Sequence, residues 1–255
     1  MDKQKFKLVI AYDGTGYEGW QVQKTGTGVQ EKVETALAKL FPSRPRLHGS
    51  SRTDTGVHAL GMIAHFEVPA AEFKMTTRKL ALALNAWLPE DIRVLSAVRA
   101  SKQFHARFNA AGKQYRYFVW NHTAMNPLIR QTTWQVPRPL DLLAMRAAAP
   151  LFVGRHDFKA FCSTGSSAKT TERQIFEARF GVASGMGFSG SDLVAFRVTG
   201  SGFLKQMVRS LVGTLVLIGR KRAKTELISE LLEGKQRSNV GPTAPPHGLW
   251  LWDIA

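Results

Sequence analysis

Apolar residues in this chain recur with a period of two, then of 3.6, then of two again, and that alternation runs twice along its length. KFKLVIAYDG alternates and is rich in β-formers, so it reads as a strand ending in a turn. VQEKVETALAKLF then sets Val29, Val33, Ala36, Leu37, Leu40 and Phe41 on one helical face, and Pro42 and Pro45 stop it. ALGMIAHFEV reads as a strand. Thr76 or Thr77 caps a second helix, RKLALALNAWL, which Pro89 ends, and DIRVLSAVRA is a further strand. From Phe104 the same character returns without a sequence repeat. KQYRYFVWN is a strand, and LDLLAMRAAAPLFVG is a helix with Asp141 near its start and Gly154 after its end. RQIFEARFGVA and DLVAFRVTG read as paired strands around a flexible Gly/Ser segment, SGMGFSGS. A buried helix in FLKQMVRSLVGTLVLIG follows, then a shorter one in TELISELLEG, and a strand that closes the Pro/Gly-rich tail. The order β-α-β-α-β, then β-α-β-β-α-α-β, predicts two α+β halves sharing sheets, with a boundary near residues 100–112.

The 255 residues suffice for one large domain or two small ones with real cores. One cysteine, Cys162, excludes a disulfide within the chain and a cysteine-based zinc site. Between Phe161 and Ser163 it reads as packing, although His156 is near in sequence. The seven histidines show no H-x-x-x-H or H-E-x-x-H spacing, and Ser163, Ser166 and Ser167 lack a nucleophile elbow. MDKQKFKLVI holds no apolar run of signal-peptide length, so no secretory leader is expected, and low cysteine usage suits a cytoplasm. The longest apolar stretch carries Lys205, Gln206 and Arg209 and is short for a bilayer span.

Net charge is the strongest guide to a partner. The chain carries +16, and residues 101–255 hold 21 Lys+Arg against 9 Asp+Glu. Such an excess suits a polyanion, because cations that meet phosphates release counterions. The competing reading is solubility alone. Aromatic residues interleaved with basic ones, as in RFNAAGKQYRYFVW, favour nucleic acid over an anionic membrane.

Against that background one acidic loop stands out: HGSSRTDTGVHALG. Alone, Asp54 reads as a turn-former bonding the backbone near Gly56, with Arg52 solvated. Gly49 and Gly56, however, permit close approach of a ligand, Arg52 suits a phosphate or a base, and His58 and Asp54 can share a pocket. Arg209, in an otherwise apolar helix, either snorkels or needs a carboxylate, and Asp54 is a reasonable partner. A second feature, Gly14-x-Gly16-x-x-Gly19, has the letters of a dinucleotide fingerprint. That fingerprint needs a helix opening at the glycines, whereas the helical period starts near Val29. A turn that positions Tyr17 and Trp20 is the better reading.

RTDTGVHA resembles the R-T-D-A-G-V-H signature of the tRNA pseudouridine synthase A family. AYDGTGYEGWQVQ, NAWLPEDIRV, FHARFNAAGKQYRY, GRHDFKAF, GFLKQMVRSLVGTL and APPHGLWL resemble further blocks of that family in the same order. The resemblance runs from about Lys7 to Ile254.

It implies an α+β fold of two similar α/β halves around a central, mainly antiparallel sheet. Residues 1–105 would be the half with the aspartate loop, and 106–255 the strongly basic half. It implies an isomerase converting uridine to pseudouridine at positions 38, 39 and 40 of the tRNA anticodon stem-loop. No cofactor and no metal are implied; the enzyme would be a cytoplasmic homodimer, with no membrane partner. By the same resemblance Asp54 is the catalytic aspartate and Arg52 enters the RNA stack where the target base leaves. Tyr115 would pack on the flipped uracil, and Arg209 would pair with the catalytic carboxylate. Ser51, Thr55, Lys205 and Gln206 depart from the family pattern. Two other classes stay open: a non-catalytic basic tRNA-binding protein, and a nicotinamide-linked oxidoreductase.

Overall fold

A computed structural model describes residues 2–23, 27–166, 168–183, 191–234 and 240–255. The segment read as flexible, SGMGFSGS, lies outside the described residues except for its last serine, and so does Ser167. The chain folds as two compact units, residues 1–111 with 251–255, and residues 112–250.

In the first unit the elements run β1 (Lys3–Tyr12), α1 (Val29–Leu40), β2 (His48–Gly49), β3 (His58–Pro69), α2 (Thr77–Trp87) and β4 (Ile92–Ala100). β1 pairs antiparallel with both β3 and β4, with Leu8 opposite Ala64 on one side and Ala97 on the other. The period of two sends Phe6, Leu8 and Ile10 to one face, where all three are fully buried. Val33 and Leu37 of α1 and Leu80 and Leu84 of α2 are buried as well. Each such side chain contributes about 1.5–3 kcal/mol. Thr76 caps α2 by accepting from Lys79 N at 3.3 Å, which settles the choice between the two threonines.

The second unit contains β5 (Lys113–Trp120), β6 (Trp134–Gln135), α3 (Leu142–Ala148), β7 (Gly154–Asp157), β8 (Glu172–Val182), β9 (Leu193–Gly200), α4 (Met207–Gly219) and α5 (Glu226–Leu232). A final strand, β10 (Leu249–Ile254), leads from this unit to residues 251–255 of the first, where Ala111 N donates to Ala255 O at 2.7 Å. β5, β9, β8 and β7 lie side by side in that order, all antiparallel, and β6 adds a short parallel pairing to β5. Each unit is thus helices on a mainly antiparallel sheet, which bears out the α+β class.

Two helices are shorter than their periodicity suggests. LDLLAMRAAAPLFVG is α-helical only to Ala148 and continues as a 3-10 turn over Ala149–Phe152. Pro150 falls there, and a proline clashes with the preceding helical turn. α4 begins at Met207 rather than Phe203 because Gln206 takes a left-handed conformation, φ 58°. Short strands β2, β6 and β7 are too brief to carry a legible period. No helix among the described residues is long and apolar enough to cross a membrane.

Candidate active site

The loop between β2 and β3 is held from both sides. Ser50 N donates to Ile63 O at 2.8 Å, which ties the loop's start to β3. Thr53 is buried, its Oγ1 lies 2.7 Å from the Tyr12 hydroxyl, and its carbonyl accepts from Trp20 N at 3.2 Å. Asp54 comes next and opens a tight turn closed by Val57 N to Asp54 O at 3.2 Å. Gly56 makes that turn with φ +75° and donates to Tyr17 O at 3.2 Å. Arg52 is exposed and Asp54 half-buried. A carboxylate therefore stands at the rim of a loop whose backbone is fixed on both flanks. The turn carries a main-chain bond of its own, from Val57 N to Asp54 O.

The fixing surface is the segment YDGTGYEGW. A Cβ on Gly14 would overlap the Val57 carbonyl, and one on Gly19 (φ +89°) would overlap Thr53 O and lie 3.1 Å from the Asp54 carbonyl carbon. These glycines exist so that two backbones can touch. A Cβ on Gly16 would meet nothing within 4 Å. α1 starts beyond this segment, and its first amides are satisfied by it: Val29 N donates to Gly19 O and Gln30 N to Trp20 O. No helix N-terminus opens at the glycines, so the dinucleotide geometry is not built. Tyr17 and Trp20 are buried, as a positioning turn requires. The Tyr17 hydroxyl donates to Asp91 Oδ1 at 2.6 Å; burial first, and then this bond, push its pKa up.

His58 lies at the other end of the turn, with its side chain fully buried. Its Nδ1 is 3.0 Å from both Gly14 N and Asp13 Oδ1. One nitrogen serves one of them at a time: protonated it donates to Asp13, bare it accepts from Gly14. Burial opposes ionisation of Asp13. Hydrogen bonds from Thr15 and the nearby His58 outweigh it and hold the carboxyl below its ordinary value.

The other two sequence-predicted residues sit in the second unit. Tyr115 on β5 is buried, opposite Val198 of β9, and the ring of Phe203 meets it edge-on at 5.1 Å. Arg209 is half-buried in the first turn of α4. Its Nε donates to Ala244 O at 2.7 Å, and Ala244 N returns a bond to Arg209 O at 3.2 Å. That segment is pressed onto α4: a Cβ on Gly213 would overlap the Pro242 carbonyl, and Gly241 N donates to Thr214 Oγ1 at 3.2 Å. Bonding at Nε fixes the plane of the guanidinium. Lys205 and Gln206 also gain a role, since Lys205 O accepts from Ser163 N at 3.1 Å and Gln206 Oε1 accepts from the Ser163 hydroxyl. Arg52 and Asp54 thus share one loop of the first unit, and Tyr115 and Arg209 belong to the second.

Sequence reasoning passed over Tyr12 and Thr53 as individuals, although both stand inside quoted motifs. Their signal was positional: a tyrosine ending a strand and a threonine beside the one acid of a basic loop. Cys162 is half-buried, with Sγ 3.5 Å from Ser163 O, in keeping with packing. Among the described residues no three His, Cys, Asp or Glu side chains are arranged to hold a metal ion.

A family profile described as tRNA pseudouridine synthase matches residues 8–109 and 148–255. A tRNA pseudouridine synthase A of Citrifermentans bemidjiense is 44% identical over 252 residues, covering 98% of this chain and 97% of that protein. Another of that name from Pelobacter propionicus is 44% identical over 254 residues, 98% of each chain. One from Myxococcus xanthus is 41% identical over 250 residues, 98% of this chain and 91% of its own.

Proposed function

The chain belongs to the tRNA pseudouridine synthase family, and from that premise we propose that it isomerises uridine at positions 38, 39 and 40 of the tRNA anticodon stem-loop, with Asp54 as the catalytic carboxylate. Membership makes it an isomerase and leaves the non-catalytic tRNA-binding and nicotinamide-linked readings without support. The observation that carries the site assignment is the turn itself. It presents a half-buried carboxylate whose flanks are pinned, at Thr53 by the Tyr12 hydroxyl and Trp20 N and at Gly56 by Tyr17 O.

Forming pseudouridine breaks N1–C1′, turns the uracil, and joins C5 to C1′. N1 gains a proton and C5 loses one, so the balance needs neither oxidant nor co-reactant. We assign no metal and no cofactor. A stacked base must leave its helix, at a cost of a few kcal/mol. Arg52, exposed two residues before Asp54, suits the gap that the base leaves. Tyr115 suits stacking on the freed uracil, worth about 1–3 kcal/mol. Asp54 acts as nucleophile or base only when ionised, and the reading requires the Arg209 guanidinium to reach its carboxylate and favour that form. The enzyme works in the cytoplasm as a homodimer on this reading; its resemblance to the family supports both statements.

The test is position-resolved pseudouridine mapping on unmodified tRNA, with no cofactor added. Wild type should modify anticodon stem-loop uridines, and Asp54→Asn should abolish turnover while tRNA affinity stays within about threefold. Substantial turnover by the Asp54→Asn protein would sink the site assignment.

A further inference from the structure

Alternate residues of β5, β9 and β8 form the core of the second unit: Tyr115, Tyr117 and Val119, then Val198, Phe196 and Val194, then Ala178 and Phe180 are buried. The intervening residues face the other way, and strand register sets three arginines in one row. Arg116 stands opposite Arg197, and Arg197 opposite Arg179. Neighbouring strands are about 4.8 Å apart, so the guanidinium stems rise side by side. Like charges directly opposite destabilise a sheet. Glu177 meets two of them, with Arg179 Nε at 2.8 Å and Arg197 Nε at 3.3 Å, so one carboxylate is divided between two cations. Arg116 Nε donates to Gln114 Oε1 at 3.2 Å, a neutral acceptor. Burial, and then the charge of Arg197, lower the pKa of Arg116. One row further on, Arg146 Nη2 lies 3.9 Å from where a Cβ on Gly181 would stand.

We propose that this row binds the sugar-phosphate backbone of the tRNA substrate, at a stretch apart from the reacting uridine. Arg116 follows Tyr115 on β5, so the row lies on the opposite face of the sheet from the tyrosine proposed to hold the base. Guanidinium forks match phosphate oxygens in pairs, and a row of them suits a repeating anion. A second copy of the chain fits less well. A two-fold interface would set the arginine row against itself, and like charges repel. The inference rests on tRNA being the substrate.

The experiment compares wild type with Arg179→Gln, Arg197→Gln and the double variant. Direct binding of an unmodified tRNA transcript is measured from 50 to 200 mM salt, beside steady-state turnover. The double variant should raise Kd and KM by about three- to tenfold and flatten the log–log salt dependence by roughly one to two units, with kcat unchanged. Glu177→Gln, which frees the two cations, should tighten binding about twofold, an effect that no packing role predicts. Unchanged Kd and salt slope in the double variant overturn the proposal. So does a fall in kcat alone, or a change in sedimenting mass, which would mark the row as an interface between copies. Wild type that binds tRNA but forms no pseudouridine would count against the proposed function instead, and the binding series would still read the row.

Discussion

The Thr53 hydroxyl lies 2.7 Å from that of Tyr12, joining the last residue of β1 to the residue that precedes Asp54. Tyr12 is buried on the same strand as the fully buried Phe6, Leu8 and Ile10, so the candidate carboxylate inherits its position from the core. Tyr12→Phe and Thr53→Val should each cost about 1 kcal/mol of stability and lower kcat about tenfold with KM little changed. A double-mutant cycle on kcat should show the two changes to be non-additive; additive losses would mean that the pair does not act together.

The glycines of YDGTGYEGW separate packing from nucleotide binding. Gly19→Ala forces a Cβ into the Thr53 carbonyl at positive φ, and Gly14→Ala forces one into Val57 O. Each should destabilise by about 3 kcal/mol or more in urea unfolding. Gly16→Ala meets open space and should be neutral to within about 0.5 kcal/mol. Equal sensitivity at all three positions would contradict the packing account.

Arg209→Lys keeps the charge and loses the planar fork and its Nε bond to Ala244 O. Turnover should fall at least tenfold. The acid limb of the kcat profile should move to higher pH if this cation helps to keep the Asp54 carboxylate ionised. A fall in kcat with an unmoved acid limb would leave Arg209 a structural part only.

His65 ties stability to pH. It is buried, its Nδ1 accepts from Ala106 N at 3.2 Å, and its ring lies 4.7 Å from that of His105 and 5.0 Å from that of His48. Burial first, and then the charges of His105, His48 and Lys5, lower its pKa to about 4. An unfolded chain binds this proton below about pH 6.5, and the folded one does not until near 4. Stability should therefore be level above about pH 7 and fall by about 2–3 kcal/mol between pH 6.5 and 4.5. Urea unfolding at pH 7.5, 6 and 5 checks it, and His65→Asn should remove much of the slope.

Legibility followed period and length. The ten-residue β1 announced itself by alternation, α1 by one apolar face closed by prolines, and α2 by a threonine cap and Pro89. Two-residue strands carry no period. The start of α4 was hidden because Gln206 adopts a conformation that its side chain does not advertise. Of the residues proposed for the site, the motif letters named Arg52, Asp54, Tyr115 and Arg209. They did not name Tyr12, whose hydroxyl matters only because the fold brings it to Thr53.

The sequence by itself determined the types of the long elements, the α+β class, the basic balance that suits RNA, and the family. These rest on local periodicity and on motif identity, which need no contacts. Only the tertiary structure decided what the glycines of YDGTGYEGW are for, which groups hold the Asp54 turn, and that three arginines far apart in the chain stand in one row. Each of those depends on which residues meet across strands and loops, and strand register is fixed by long-range burial that no short window of sequence contains.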